Sequence, residues 1–545
     1  MKTWVCMELR ATGPLGLPSR AGEELEGRTV LARSVERALR TPGVEGAAVL
    51  VEPGRGAEVS GWLGACGAQV LEVLGTEPAG REAVRRARKW SKDSWRGGIR
   101  QTVDLDSWTD FPALAAAARK LGAEAILAVL PEGVLVDPAI LDGLVQHAVP
   151  QGIRAMGSAF CQAPAGFAGL FALTEWLESA AAKDVSYGRI MALVPGATSH
   201  DPVHRPDNFL APTPVRRCEF RGAVDSTRSR EMLGELLRRS PGPDGLGPSA
   251  EESVALVAAD PALYAGRLPR IVEVELTTSG LVPFADSPWG CRAPERRMDR
   301  GLFEKLLADL SGFDDVLLTV GGFGDPLAHP EVFDFLELAR EKGVYGLHLE
   351  TYGALLDEAS SRRLLECDLD VVSVRLGAAG GETYRRLTGR DDFDAVAANV
   401  ERLVALRDGT GREWPCVAVE AEKRVEVEPE LLDFFDRWTA KCDWPVIRAA
   451  SDCAGQLADR ASVHLNLAQR TGCRRLMKEL LVLADGTVPV CRVDFRASEP
   501  AGNLRERSVG ELWTSGRIAE LRGAQCAGRF DGFRLCPGCR DWDGL

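Results

Sequence analysis

The chain has 545 residues, of which 45% are hydrophobic and 27% are charged, and its formal net charge is −13. An acidic chain repels phosphate backbones, which argues against nucleic acid as a general partner. No apolar run approaches the roughly 20 residues of a membrane-spanning helix, and the N-terminus lacks the pattern of a signal peptide. We therefore expect a cytoplasmic protein of about three domains that binds neither membranes nor nucleic acid.

The first predicted domain spans residues 1–240, where strand-like and helix-like runs alternate. Apolar runs at 46–51 and 123–130 predict buried strands, and the periodic segments 29–39 and 138–147 predict helices. Strands that alternate with helices are typical of an α/β domain whose largely parallel sheet is covered on both faces.

Two further domains are predicted beyond a linker at 241–267. The segment 240–249 carries three prolines and three glycines, a composition that punctuates or ends domains. Residues 268–450 again alternate strands and helices with short loops, which predicts a full or partial β/α barrel with its chemistry at the C-terminal ends of the strands. Residues 460–545 are loop-rich and bear cysteines, which predicts a small third domain.

Four of the 14 cysteines have the spacing of a metal site. The Asp485–Gly486 turn lies between two apolar runs, and it predicts a hairpin that brings Cys491 back toward Cys473. The C-x-x-C run Cys536–Cys539 supplies two more thiols to one centre. At this point three interpretations stay open: four unrelated buried cysteines, a structural zinc site, or an iron–sulfur cluster.

The cysteine spacing C-x12-G-x4-C, followed by C-x-x-C, resembles the SPASM/twitch domain of radical-SAM proteins. The runs 502–504 (GNL) and 508–513 (SVGELW) resemble that domain's usual connection. The resemblance implies one [4Fe–4S] cluster whose ligands are Cys473, Cys491, Cys536 and Cys539. A full SPASM domain has more cysteines and a second auxiliary cluster, which this sequence lacks. Cys526 is a spare thiol that we do not favour as a ligand.

The middle region resembles a radical-SAM domain at several separated points. Segment 273–278 resembles the first strand, 349–353 the third strand with its turn, and 371–376 the fourth. The loop 321–326 resembles the loop that contacts the methionine amino group of S-adenosylmethionine. The resemblance implies contacts to S-adenosylmethionine or a nucleotide from Gly321, Gly322, Gly324, Asp325 and Ser373. A tight strand-to-helix turn without a ligand is the alternative interpretation of this glycine loop.

The three cysteines that make radical-SAM proteins catalytic are missing. Members of that class carry C-x3-C-x2-C just after the first strand, whereas the segment 278–291 holds a single cysteine, Cys291. One thiolate cannot hold a cubane cluster, so the sequence predicts a barrel that does not cleave S-adenosylmethionine.

The N-terminal segment 10–20 resembles the signature loop of cytidylyltransferases, which have the nucleotide-diphosphosugar transferase fold. The residues that fit this pattern are Gly13, Leu17, Pro18 and Arg20, while Gly16 replaces the internal arginine. Two later segments resemble the metal-binding segments of that family, and the resemblance implies that Glu132 and Asp225 hold Mg²⁺. Both carboxylates being solvated loop residues is the alternative.

The order of these parts resembles the spiro-SPASM family over nearly the whole chain, a resemblance that supplies no substrate. The leading hypothesis is an iron–sulfur protein that has one auxiliary [4Fe–4S] cluster, does not cleave S-adenosylmethionine, and binds a small molecule or a protein partner. The alternatives are an Mg²⁺-dependent nucleotidyltransferase acting on CTP or a nucleotide-sugar, and a non-catalytic interaction scaffold. No catalytic residue is assigned.

Overall fold

A computed structural model describes residues 1–148, 157–183, 186–188, 207–280, 295–464, 466, 470, 472–531 and 533–543. The chain divides into two compact units, Met1–Tyr264 and Ala265–Leu545. Each unit is built around a seven-stranded sheet with helices between its strands, which confirms the predicted α/β class. None of the helices in the described ranges is long and apolar enough to cross a membrane.

The strands of the first unit are β1 (Thr3–Glu8), β2 (Glu24–Leu25), β3 (Arg28–Thr29), β4 (Val44–Val51), β5 (Gln69–Glu72), β6 (Arg96–Gly97), β7 (Thr102–Val103), β8 (Ala125–Val129), β9 (Ser158–Cys161), β10 (Gly169–Leu173) and β11 (Asn208–Phe209). Its main sheet has the order β11-β9-β10-β8-β1-β4-β5. The half from β5 to β8 is parallel as predicted, but β10 runs antiparallel to both of its neighbours. The sheet is therefore mixed.

The helices of this part of the chain are α1 (Val30–Ala38), α2 (Gly56–Leu63), α3 (Arg81–Arg88), α4 (Phe111–Leu121), α5 (Pro138–Ala148), α6 (Thr174–Ala182), α7 (Thr213–Arg217), α8 (Thr227–Arg239), α9 (Ala250–Ala259) and α10 (Ala262–Ala265). They cover both faces of the sheet, because successive strand side chains point to opposite sides. In β1, Val5 and Met7 enter one hydrophobic core while Cys6 enters the other.

The predicted linker 241–267 is not a free connection for most of its length. Residues up to 264 belong to the first unit. Arg33 donates to the carbonyl oxygen of Gly245 at 2.7 Å, and Arg37 donates to those of Leu246 and Pro248 at 2.9 and 3.0 Å. Both arginine side chains are buried, so they need these carbonyl groups as acceptors. The proline- and glycine-rich segment therefore completes the first unit.

The strands of the second unit are β12 (Ile271–Glu275), β13 (Leu317–Gly321), β14 (Gly346–Thr351), β15 (Val371–Arg375), β16 (Cys416–Lys423), β17 (Trp444–Ala449), β18 (Glu479–Val482), β19 (Thr487–Pro489) and β20 (Pro500–Asn503). The main sheet has the order β17-β16-β15-β14-β13-β12-β18, and every pair in it is parallel. Its helices are α11 (Arg300–Leu310), α12 (Val332–Glu341), α13 (Glu358–Glu366), α14 (Gly381–Thr388), α15 (Phe393–Gly409), α16 (Leu431–Thr439), α17 (Val509–Thr514) and α18 (Gly516–Cys526). This series is the predicted partial β/α barrel.

The cysteine-bearing tail shares the sheet and the core of the barrel. β18 pairs with β12 in parallel, and Val482, Val488 and Trp513 belong to the same hydrophobic core as the barrel strands. The Trp513 indole N–H donates to the carbonyl oxygen of Ala265 at 3.1 Å. The segments 268–450 and 460–545 therefore fold around one core.

The hairpin expected at Asp485–Gly486 forms only its turn. Gly486 has a φ of +88°, and the Leu483 amide donates to the Thr487 carbonyl at 2.9 Å. Beyond the turn, β19 pairs with β20, while β18 pairs with β12 at the edge of the main sheet. The two strands that flank the turn thus belong to different sheets.

Candidate metal centre and barrel mouth

The C-terminal loop with Cys536 and Cys539 is fastened to the segment that holds Cys473. Arg470 donates to the Cys536 carbonyl at 2.7 Å. In the other direction, the Arg474 amide donates to the Trp542 carbonyl at 3.1 Å, and the Arg475 side chain donates to the Asp541 carbonyl, also at 3.1 Å. These hydrogen bonds hold the segments 470–475 and 536–542 together.

The four thiols influence one another electrostatically. Burial raises the pKa of Cys473, Cys536 and Cys491, and burial raises that of Cys539 to about 12. A smaller part of the rise at Cys491 comes from Cys473 and Cys539, and the charge of Cys473 also raises the pKa of Cys536 and Cys539. These mutual effects indicate that the four predicted ligands lie in one region, where Cys473 is buried and the other three are partly exposed. Their joint role as ligands stays a prediction.

Among the residues that the structure describes, the four thiols are not grouped as the ligands of a single ion. Within the described ranges, no group of three or more His, Cys, Asp or Glu side chains lies close enough together to hold one metal ion. A tetrahedral ion with bonds of about 2.3 Å needs sulfur atoms roughly 4 Å apart. In a cubane each thiolate binds its own iron, so the sulfur atoms stand further apart.

A cavity of about 520 Å³ lies at the C-terminal ends of β15, β16 and β17. On its other side it is lined by residues close in sequence to the cysteines of the tail: Arg475, Arg492 and Asp541. The charged residues that line it are Arg375, Arg424, Arg448, Arg475, Arg492, Glu420, Glu422, Glu479 and Asp541. The mouth of the barrel thus lies beside segments of the tail that carry the cysteines.

Ion pairs order the charges around this cavity. Arg375 binds the Glu350 carboxylate, and Arg448 lies 2.6 Å from Glu420 and 3.5 Å from Glu350. Burial opposes ionisation of Glu350, but the two guanidinium groups hold its pKa well below the usual range. Arg424 lies 3.6 Å from Glu426, so it too belongs to an ion pair. The wall of the cavity thus presents charges of both signs.

Residues 473–540 match the family of SPASM domains, described as iron–sulfur cluster-binding. The match begins at Cys473 and includes Cys491, Cys536 and Cys539. The C-terminal segment is a SPASM domain. The match assigns iron–sulfur binding to the family of this segment, and the cluster of this chain is a proposal.

Curated relatives cover parts of the chain. An uncharacterized protein of Treponema pallidum (strain Nichols) is 24% identical over 234 residues, which are 40% of this chain and 62% of that protein. A tungsten-containing aldehyde ferredoxin oxidoreductase cofactor-modifying protein of Pyrococcus furiosus is 28% identical over 145 residues, which are 26% of this chain and 40% of that protein. The chain thus spans less than two thirds of the length of either relative.

Solved structures resemble parts of the chain at low TM-scores. BtrN in complex with AdoMet and 2-DOIA has a TM-score of 0.35 and 18% identity, over 50% of this chain and 93% of that one. A cytidylyltransferase from Leptospira borgpetersenii serovar Hardjo-bovis has a TM-score of 0.32 and 13% identity, over 48% of this chain and 95% of that one.

The glycine loop after β13 packs tightly on the end of β12. A Cβ on Gly324 would lie 2.1 Å from the carbonyl oxygen of Thr277. The buried Asp325 carboxylate accepts hydrogen bonds from the Thr351 hydroxyl at 2.9 Å and from the amides of Leu327 and Tyr352 at 3.0 and 3.1 Å. Burial raises the pKa of Asp325, and these hydrogen bonds oppose the rise. The close approach of backbones accounts for the glycine at 324, and ligand contacts from Gly321, Gly322, Gly324 and Asp325 stay a prediction.

Ser373 points into the barrel. Its Oγ lies 2.8 Å from Nε2 of His348, whose Nδ1 lies 3.3 Å from the Thr319 hydroxyl. Burial lowers the pKa of this histidine, so it is neutral at physiological pH. The hydroxyl predicted to approach a ribose or carboxylate is thus engaged inside the core, and its ligand contact also stays a prediction.

The N-terminal carboxylates are buried and are not solvated loop residues. Glu132 is 2% exposed and accepts a hydrogen bond from the Ser19 hydroxyl. Burial raises the pKa of Glu132 to about 7, and the neighbouring charge of Asp225 adds to the rise. Asp225 is 4% exposed; its Oδ2 accepts from Arg221, while its Oδ1 has no partner. The two residues are neighbours, since the Val224 amide donates to the Glu132 carbonyl at 2.9 Å.

The arginines of the signature loop are bound within the protein. Arg10 donates to Glu8 at 2.6 Å and to Asp110 at 2.7 Å. Arg20 donates to Glu23 at 2.7 Å and to the Thr227 hydroxyl at 2.9 Å. A triphosphate would have to compete with these partners.

Several site residues escaped the sequence reasoning. They are Glu350, Arg375, Glu420 and Arg448 at the barrel mouth, and Gln525 beside the cysteines. The first four share one signal: each lies at or near the C-terminal end of a barrel strand, at a position where the run of apolar residues is broken by a charge. Gln525 lies in an ordinary helical segment and gave no signal.

Proposed function

We propose that this protein holds one [4Fe–4S] cluster through Cys473, Cys491, Cys536 and Cys539. The observation that carries the proposal is the match of residues 473–540 to an iron–sulfur domain, supported by Gln525, whose side chain bonds both the Cys473 amide and Sγ of Cys536. Four protein thiolates leave no iron open to a substrate, so the cluster would supply electron transfer or local architecture.

The barrel beside the cluster does not cleave S-adenosylmethionine in this proposal. The segment 278–291 offers a single cysteine where three are needed, and its residues from 281 onward lie outside the described ranges. The cavity at the barrel mouth, whose wall carries both arginine and carboxylate side chains, instead binds a small polar molecule. Mass spectrometry of small molecules that copurify with the wild type, but not with Glu420→Ala, tests this; an equal content in both would count against it.

Anaerobic purification and counting of iron, sulfide and zinc test the cluster. We expect about four iron and four sulfide per chain, lost in Cys536→Ser/Cys539→Ser and kept in Cys526→Ser, which changes an exposed thiol of α18. Zinc without sulfide would overturn the proposal. About eight iron per chain, or 5′-deoxyadenosine above a no-enzyme control, would contradict the proposal that the barrel does not cleave S-adenosylmethionine.

A second function, Mg²⁺-dependent nucleotidyl transfer, is favoured by one observation. Glu132 and Asp225 are buried neighbours, and Oδ1 of Asp225 is unpartnered. Paired carboxylate oxygens suit a hard cation. We expect calorimetry to detect CTP binding that requires Mg²⁺ and is lost in Glu132→Ala/Asp225→Ala. Absence of CTP binding by the wild type would remove this function and leave the cluster proposal untouched.

A further inference from the structure

Gln525 connects two of the proposed cluster ligands. It lies in the last turn of α18 and is 2% exposed. Its Oε1 accepts a hydrogen bond from the Cys473 amide at 3.1 Å, and its Nε2 donates to Sγ of Cys536, also at 3.1 Å. One side chain thus contacts two cysteines that are far apart in sequence.

The orientation of this amide follows from the chemistry of its partners. A backbone N–H only donates, so the atom facing Cys473 must be the carbonyl oxygen of the side chain. That choice directs the NH₂ group toward the Cys536 sulfur. The helix position holds the side chain in place, because the neighbouring Leu521 and Ala524 are buried in the core of the second unit.

We propose that Gln525 tunes the reduction potential of the cluster through its N–H···S hydrogen bond. A donor at a ligand sulfur withdraws negative charge, which stabilises the reduced state and raises the potential. Because the side chain is buried, water does not replace the donor when it is removed. The inference rests on the proposed function, since it requires a cluster at these cysteines.

Two substitutions separate the two hydrogen bonds. Gln525→Glu keeps an oxygen for the Cys473 amide, but its carboxylate has no proton for the Cys536 sulfur and its negative charge lowers the potential further, so Gln525→Met decides the role of the hydrogen bond. Gln525→Met has a similar length and removes both bonds. Glu520→Gln is the control, since this exposed residue lies on the same helix and pairs only with Arg517 at 3.1 Å among the ion pairs described.

The measurement is a redox titration of the iron-loaded full chain, followed by EPR. We expect the reduced-to-oxidised ratio at a fixed potential to fall about tenfold in Gln525→Met, which corresponds to about 59 mV for one electron, and to fall further in Gln525→Glu. Glu520→Gln should match the wild type. Gln525→Met should in addition lose iron faster to a chelator, because the Cys473 amide is left without an acceptor.

The outcomes separate this inference from the proposed function. If the wild type holds its iron and both variants titrate at the wild-type potential, the tuning role is overturned while the cluster assignment stands. If Gln525→Met loses iron but Gln525→Glu keeps the wild-type potential, the role is purely structural and the inference is also overturned. A wild type without iron or sulfide overturns the proposed function itself.

Discussion

At the scale of single residues, burial decides what the carboxylates of the first unit do. The sequence resemblance singled out Glu132 and Asp225, but it left open whether they are solvated. The structure buries both, gives Glu132 the Ser19 hydroxyl and gives Asp225 the Arg221 guanidinium. Such partners come from distant parts of the chain, so no local pattern could have indicated them.

The raised pKa of Glu132 predicts a pH-dependent stability. The folded protein holds a proton on this group up to about pH 7, whereas the ordinary value is 4.5. Its contribution to the free energy of unfolding is therefore fully present when the pH is below the pKa of the unfolded chain. The contribution is lost as pH rises through about 7. In the wild type, the free energy of unfolding should fall by about 3 kcal/mol between pH 4.5 and pH 7, at 1.36 kcal/mol per pKa unit. We expect Glu132→Gln to abolish this fall.

Pulse proteolysis in urea at several pH values measures this effect, because fragment size identifies the first unit. Glu45→Gln is the control, since Glu45 is exposed. An identical pH profile in the wild type and Glu132→Gln would show that Glu132 ionises normally in the folded protein.

At the scale of elements, the loop after β13 joins three strand ends. Gly324 lies against the carbonyl of Thr277, and Asp325 binds groups at the end of β14. The glycines were predicted to serve either a ligand or a tight turn, and the packing supports the turn at Gly324. Helix and strand positions of this barrel were predictable, because buried apolar runs and amphipathic runs alternate along the chain.

Gly324→Ala tests this packing. The added Cβ would meet backbone at 2.1 Å, which cannot be relieved by a side-chain rotation. We expect the free energy of unfolding of the second unit to fall by at least about 2 kcal/mol. Gly301→Ala in α11 is the matched control, and it should be neutral or stabilising by up to about 1 kcal/mol, because alanine favours a helix. Equal stabilities of the two variants in urea would contradict the close approach.

At the scale of the whole molecule, the boundary between the units lies after Tyr264 and not at residue 240. The composition of 240–249 indicated a linker, but Arg33 and Arg37 of α1 donate hydrogen bonds to its carbonyl groups. Likewise, the segment 460–545 contributes β18 to the barrel sheet. The proline- and glycine-rich composition predicts a flexible segment. It does not predict that buried arginine side chains elsewhere will bind the carbonyl groups of that segment.

Separate expression of the first unit tests the boundary. A chain of residues 1–264 should unfold cooperatively. A chain of residues 1–240 should lose more than about 4 kcal/mol, because Arg33 and Arg37 lose the carbonyl acceptors at 245, 246 and 248. Denaturation in urea followed by circular dichroism compares the two. Equal midpoints would mean that 241–264 contributes nothing to the first unit.

The sequence by itself determined the α/β class, the order of the strands and helices, and the cysteine spacing of the SPASM domain, because these depend on local periodicity and short-range motifs. Only the tertiary structure decided that β18 completes the barrel sheet, that charged pairs line its mouth and that Gln525 lies between Cys473 and Cys536. These contacts join residues far apart in sequence. They form because buried polar groups must find partners wherever the fold places them.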